Sequence, residues 1–205
     1  MASIYDIKPA FQNFLRPLTR ALFAAGVTAN QVTVAAALLS VAVGACIARF
    51  PTAHWPLLVL PAFLFVRMAL NAIDGMLARE HGQKSRLGAV LNEVGDVLAD
   101  TALYLPFALV PGFDARLVVL ATLLAVVTEL TGLVALQIGA TRRYDGPMGK
   151  SDRAFVFGHF ALLAGLGVPL APWLTPALGL VLLLLVVTIV NRARRALAET
   201  PRPPS

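Results

Sequence analysis

The chain has 205 residues, of which 58% are hydrophobic and only 14% charged, with a net charge of +6. That is too apolar for an ordinary soluble domain and fits a polytopic membrane protein. The basic charge borders apolar segments instead of lining one groove, which argues against nucleic-acid binding, and a lone Cys46 leaves no disulfide framework or cysteine metal site.

In chain order, residues 4–25 come first and mix apolar and basic positions at near-helical spacing. Pro9 and Pro17 interrupt them, so one helix and two short pieces fit equally well. The pattern predicts an amphipathic segment in the headgroup boundary. Phe11, Phe14, Leu15, Leu18, Leu22 and Phe23 would face inward and Lys8, Arg16 and Arg20 would face anionic lipid. The blander alternative packs the same segment on the spans. No cleavable signal peptide is expected, because about 30 amphipathic residues precede the first apolar run. Asn30 is placed to cap that run.

Apolar stretches follow near 32–50, 56–77, 89–110, 117–139, 154–170 and 174–191. Each has roughly the 17–24 residues that cross ~30 Å of hydrocarbon. The expectation is an all-α bundle of six spans, the last two joined as a short hairpin. Threaded so, every Lys and Arg falls on one side except Arg49, Arg116 and Arg67, the last lying within a span. Positive charge flanks the cytoplasmic ends of spans, so both termini are expected in the cytoplasm. One domain over 1–195 and a disordered tail over 196–205 complete the reading.

The chemistry concentrates in Asn71–Asp96, NAIDGMLAREHGQKSRLGAVLNEVGD. Asn71, Asp74 and Ala78 are three or four residues apart and share a helix face, as do Gly88, Asn92, Asp96 and Asp100. Two polar stripes on neighbouring apolar helices can make one wet pocket. Carboxylates there hold a divalent metal or move protons, because burying them unpaired is costly. Elsewhere, Glu129 lies inside the fourth stretch, with Thr128, Thr131 or Arg67 as possible partners. Arg67 stands one turn before Asn71, where pairing with Asp74 and snorkelling are both open. Arg142, Arg143, Lys150 and Arg153 form a basic edge before the fifth stretch, suited to an anion or to lipid headgroups.

This stretch resembles the signature of the CDP-alcohol phosphotransferase family. That signature is Asp-x2-Asp-Gly-x2-Ala-Arg, eight residues, Gly, three residues, Asp, three residues, Asp. Asp74, Gly75, Ala78, Arg79, Gly88 and Asp96 match by identity, while Asn71 and Asn92 replace its first and third Asp. Residues 27–33, VTANQVT, are similar to the family's approach to the first span, with Ala29 in place of Pro.

The resemblance implies a transferase of phospholipid synthesis in the inner membrane of a bacterium. It would move a phosphatidyl group from CDP-diacylglycerol, or use another CDP-alcohol, pass it to an alcohol acceptor and release CMP. Mg2+ or Mn2+ would be held at Asp74 and Asp96, with Asn71 and Asn92 in the remaining ligand positions. Asp96 would also serve as general base. Asp74, Gly75, Ala78, Arg79 and Gly88 would meet the nucleotide, and the basic edge would take a phosphorylated acceptor. Homodimers are implied as well. Amide for carboxylate lowers the charge at the metal, so Asp100 and Glu129 are possible compensating acids. The same two Asn residues support a second reading, a weak or inactive relative that binds lipid or nucleotide without turnover. A transporter would need polar residues through the whole membrane depth, and here they cluster at one edge.

Overall fold

The computed structural model describes residues 4–200, which form helices joined by loops, with no strand among them. The helices are α1 (Ile4–Ala24), α2 (Ala29–Arg49), α3 (His54–Glu80), α4 (Arg86–Tyr104), α5 (Ala115–Gln137), α6 (Lys150–Gly165) and α7 (Ala171–Glu199). By length and composition, α2, α3, α5 and the Pro172–Glu199 part of α7 can cross a membrane. The expected third and fifth spans correspond to α4 and α6, which are less apolar or shorter than these four. α4 carries Glu93, Asp96 and Asp100 and ends at Tyr104, where Pro106 lacks the N–H to continue an α-helix and a 3-10 turn (Leu105–Leu109) begins. α6 has 16 residues. At the other end, α7 runs to Glu199, into the segment expected as tail, and residues 201–205 lie outside those described.

Packing divides the chain into two compact units. The first gathers residues up to Val43 with Ala62–Asp100. Its core joins Leu15 of α1, Ala29 and Val32 of α2, and Ile73, Met76 and Leu77 of α3. α1 is one helix with both prolines inside it. Phe11, Leu15 and Leu22 pack on the unit's core, whereas Phe14 remains 79% exposed and Leu18 and Phe23 also stay outside. Thus α1 has both a packed face and an exposed apolar face. Arg16 Nη2 ties it to Glu80 Oε1 at the end of α3, at 3.0 Å. α2 is capped by Thr28: Gln31 N–H donates to Thr28 Oγ1 at 3.3 Å, and Thr28 N–H donates to Gln31 Oε1 at 2.9 Å. This reciprocal capping box displaces Asn30 from the capping role expected for it.

The second unit gathers Gly44–Pro61 with the residues from Thr101 onward. An aromatic cluster fills part of it, with Tyr104 stacked on Phe157 at 4.4 Å and Phe107 edge-on to Phe157 at 5.4 Å. Asp114 caps α5 by accepting from the Arg116 and Leu117 amides. Asp152 closes the start of α6, accepting from Gly149 N–H at 2.9 Å. α2 and α4 meet at Gly44, where a Cβ would lie 1.8 Å from the Ala102 carbonyl oxygen. Only backbone movement can relieve that clash, so Gly44→Ala should destabilise the fold by about 1–3 kcal/mol. Gly179→Ala is the control, since a Cβ there meets nothing within 4 Å. Thermal denaturation in detergent should lower the midpoint for the first variant and not the second; equal midpoints would refute the close approach.

Candidate functional site

The C-terminal half of α3, the loop after it and the start of α4 close around a pocket of about 400 Å³ in the first unit. Asp74, Gly75, Ala78 and Arg79 line it from α3, and Gly88 and Asn92 from α4. All six belong to the spaced pattern, and helical periodicity explains why they converge: on each helix they recur every three or four residues. Asn30 and Thr33 enter from α2, Gln83, Lys84 and Ser85 from the loop, and Glu93 from α4. Sequence reasoning misses the α2 contribution because it reads Asn30 as a cap. The Thr-x-x-Gln spacing of residues 28–31 was the signal that assigns the cap elsewhere and frees Asn30 for the pocket.

Asp74 is only 6% exposed, and Thr33 Oγ1 donates to its Oδ2 at 2.8 Å. The openings left by small residues hold the polar ends of neighbours. A Cβ on Gly75 would sit 2.9 Å from Arg79 Nη2, and one on Gly88 would sit 2.7 Å from Asn30 Oδ1. Arg79 therefore folds back over Gly75, where its fork of donors faces the pocket, and a flexible side chain can yield to an incoming ligand.

Asn71 and Asp96 do not line this pocket; each lies one helical turn further along its helix. Asp96 meets Arg67. Arg67 Nη1 donates to Asp100 Oδ1 at 2.7 Å, and its Nη2 lies 3.5 Å from Asp96 Oδ1 and donates to the Asp96 carbonyl at 3.4 Å. At 3% exposure Arg67 is buried and does not snorkel, because two acids of α4 face it. Asp100 is thereby engaged by a guanidinium.

The second unit holds its own charged cluster. Glu129 of α5 meets Arg153 at 3.0 Å, Arg142 at 3.4 Å and Arg192 at 3.5 Å. The Arg153 and Arg192 side chains are each 2% exposed. Arg153 also donates to Thr128 Oγ1 at 3.1 Å, and Arg142 stacks over Tyr144 at 4.4 Å. Arg142 and Arg153 thus converge, and Arg192, which sequence reasoning reads only as a membrane-flanking charge, joins them from α7. Lys150 opens α6, half-buried. Arg143 does something else: it bonds Asp145 Oδ2 at 2.8 Å and Glu199 Oε2 at 2.7 Å and so pins the loop to α7. Burial pushes the Asp145 carboxyl up, but the Arg143 bond and the charges of Arg143 and Arg195 outweigh it and hold the pKa below its usual value. That stabilisation is complete above the usual carboxyl pKa and fades as pH falls through the lower folded value.

The sequence profile of the CDP-alcohol phosphatidyltransferases matches residues 26–191, most of the described chain. The chain belongs to the CDP-alcohol phosphatidyltransferase family. This is a family of membrane enzymes of phospholipid synthesis that use Mg2+ or Mn2+. Among its relatives, the inner membrane protein YnbA of Escherichia coli is 46% identical over 197 residues, covering 95% of this chain and 96% of its own. The phosphatidylinositol phosphate synthase of Mycobacterium marinum is 32% identical over 189 residues, covering 89% of this chain and 77% of its own. The fold matches crystal structures of the Mycobacterium tuberculosis phosphatidylinositol phosphate synthase. Its CDP-DAG-bound form gives a TM-score of 0.75 at 22% identity, covering 92% of this chain and 98% of that one. The form with manganese and citrate gives 0.74 at 22%, covering 92% of each.

The donor set of this family member suits a hard divalent ion in kind, since Asp74, Asn92 and Glu93 offer oxygen atoms to one pocket. It is sparse in number. Among the described residues no three Asp, Glu, His or Cys side chains group as a metal cluster. Mg2+ is commonly held by one or two carboxylates completed by substrate phosphates, and this pocket fits that arrangement.

Proposed function

We propose that this chain moves a phosphatidyl group from CDP-diacylglycerol to an alcohol acceptor and releases CMP. The observation that carries the reading is the convergence of Asp74, Gly75, Ala78, Arg79, Gly88 and Asn92 on one pocket. Family membership supports it, as do relatives named phosphatidylinositol phosphate synthases and a relative's structure with CDP-DAG bound.

In this reading the cytidine and pyrophosphate of the donor lie against Gly75, Ala78 and Gly88. Arg79 gives its guanidinium fork to the phosphates. Asp74, Asn92 and Glu93, which line the pocket, would hold Mg2+ or Mn2+, which would neutralise charge on the leaving phosphate, while Asn71 and Asp96 stand one turn away. Asp96 takes the proton from the acceptor hydroxyl. That oxygen bonds to the phosphorus beside the diacylglycerol, the bond from this phosphorus to the CMP oxygen breaks, and CMP leaves. The acceptor carries a phosphate of its own, bound at Arg142, Lys150, Arg153 and Arg192. Three guanidinium groups on one carboxylate leave an excess of positive charge there, which suits an anion. We further propose six membrane passes, α1 at the interface, both termini in the cytoplasm of an inner-membrane homodimer, and Mg2+ or Mn2+ dependence.

Arg67 on Asp96, together with Asn at 71 and 92, favours a second reading: donor binding without turnover. Purified protein given CDP-diacylglycerol and Mn2+ or Mg2+, with glycerol phosphate, inositol phosphate or the unphosphorylated alcohols, decides. CMP release with a phosphorylated acceptor supports the transferase. Bound donor with no CMP from any acceptor supports the second reading.

A further inference from the structure

Arg67 is the buried charge that the transferase scheme leaves without a role. Arg67 is 3% exposed, and its guanidinium touches an Asp of the signature itself, lying 3.5 Å from Asp96 Oδ1, 3.4 Å from the Asp96 carbonyl and 2.7 Å from Asp100 Oδ1. A purely structural ion pair with Asp100 would need no second carboxylate. Here the same cation also engages Asp96, one turn from the pocket-lining Asn92. On α3, Arg67 stands one turn before Asn71, a position where an acid would face it directly. The neutral residues at 71 and 92 and the fixed cation beside Asp96 act in the same electrostatic direction. Both weaken the attraction of the inner half of the site for a mobile cation, while Asp74 and Glu93 keep carboxylate oxygens at the outer half.

We propose that Arg67 is a built-in cation of the site: it positions the Asp96 carboxylate and limits the site to one divalent ion, held on the Asp74 side. A divalent ion approaching Asp96 would meet the positive charge of Arg67, whose Nη2 already lies 3.5 Å from that carboxylate. Arg67 is a positioning residue, acting through Asp96. The proposal rests on the reading of this pocket as the donor and metal site.

Mn2+ bound per chain is counted by electron paramagnetic resonance on detergent-purified protein without nucleotide, with thermal denaturation as the folding check. Wild type should hold one ion. Asn71→Asp/Asn92→Asp should bind that ion more tightly yet still hold one, because Arg67 remains. Adding Arg67→Met to this pair should admit a second ion, with a dissociation constant on the order of 100-fold lower than any second site in the Arg67-containing protein. Where Arg67→Met fails to fold, Arg67→Met/Asp100→Asn in the same background removes both members of the buried pair and should also admit two. Two ions in Asn71→Asp/Asn92→Asp with Arg67 intact would overturn the proposal, as would a single ion in both Arg67-lacking proteins. The counts need no turnover. The predicted stoichiometries in a wild type that forms no CMP would defeat the transferase reading and leave the role of Arg67 standing. CMP formation with two ions in wild type would do the reverse.

Discussion

Glu129→Ala should lower stability by about 3–5 kcal/mol, the cost of removing one partner from a buried ion pair. The reason is that one carboxylate serves three guanidinium groups, of Arg153, Arg142 and Arg192, drawn from α6, the loop before it and α7. Without it, three positive charges face one another in a space with little water, and the loop, α5, α6 and α7 lose their common partner. Glu129→Gln keeps the shape and one acceptor oxygen but not the charge, so it should fall between alanine and wild type. In thermal denaturation the alanine variant should melt on the order of 10 °C lower. An unchanged midpoint would mean that the three arginines are satisfied without Glu129.

Asp74→Ala should reduce CMP formation by about 1,000-fold or more, the scale lost with a preorganised charge that stabilises a developing charge. Asp74 is the carboxylate of the identity-matched signature that reaches the pocket itself, and it is nearly buried there. Its loss removes a hard ligand for the ion and also the acceptor of the Thr33 hydroxyl bond. Thr33→Val separates the two effects. It deletes the bond and keeps the carboxylate, so turnover should fall by only about 10-fold, the scale of one hydrogen bond to a charged group. Mn2+ affinity should drop sharply in the first variant and little in the second. Near-wild-type turnover in Asp74→Ala would remove this residue from the chemistry.

Much of the pocket is legible from spacing because it is local. Asp74, Gly75, Ala78 and Arg79 sit on one helix, and Gly88 and Asn92 on the next, joined by a short loop, so 3.6-residue periodicity brings them together. What escapes is what tertiary packing decides. Thr33 bonds Asp74 across 41 positions, and Arg67 reaches Asp100 across 33. Nothing in the local pattern at Glu129 selects Arg153 and Arg192 over Thr131 or Arg67, because those arginines arrive from other helices. Composition alone does not mark α4 as a span, for a related reason. Its apolar residues suggest a crossing segment, but Glu93, Asp96 and Asp100 share that helix, and the polar pocket and Arg67 take them up. Pro9 and Pro17 show the opposite limit: local propensity argues for a broken helix, yet packing of Phe11, Leu15 and Leu22 accompanies a continuous one.

The loop after α3 is tied to the start of α2: Gln83 Oε1 accepts from Ala29 N–H at 2.6 Å, satisfying one of the amides that a helix start leaves open. Gln83, Lys84 and Ser85 form part of the pocket mouth. The mouth therefore cannot widen at Gln83 without leaving the Ala29 amide, at the start of α2, without this partner. Breaking such a helix-end contact belongs with helix fraying, on the order of 0.1–1 μs. That is far faster than the μs–ms swing of a lid, so passage through this mouth should not be the slow step of a catalytic cycle.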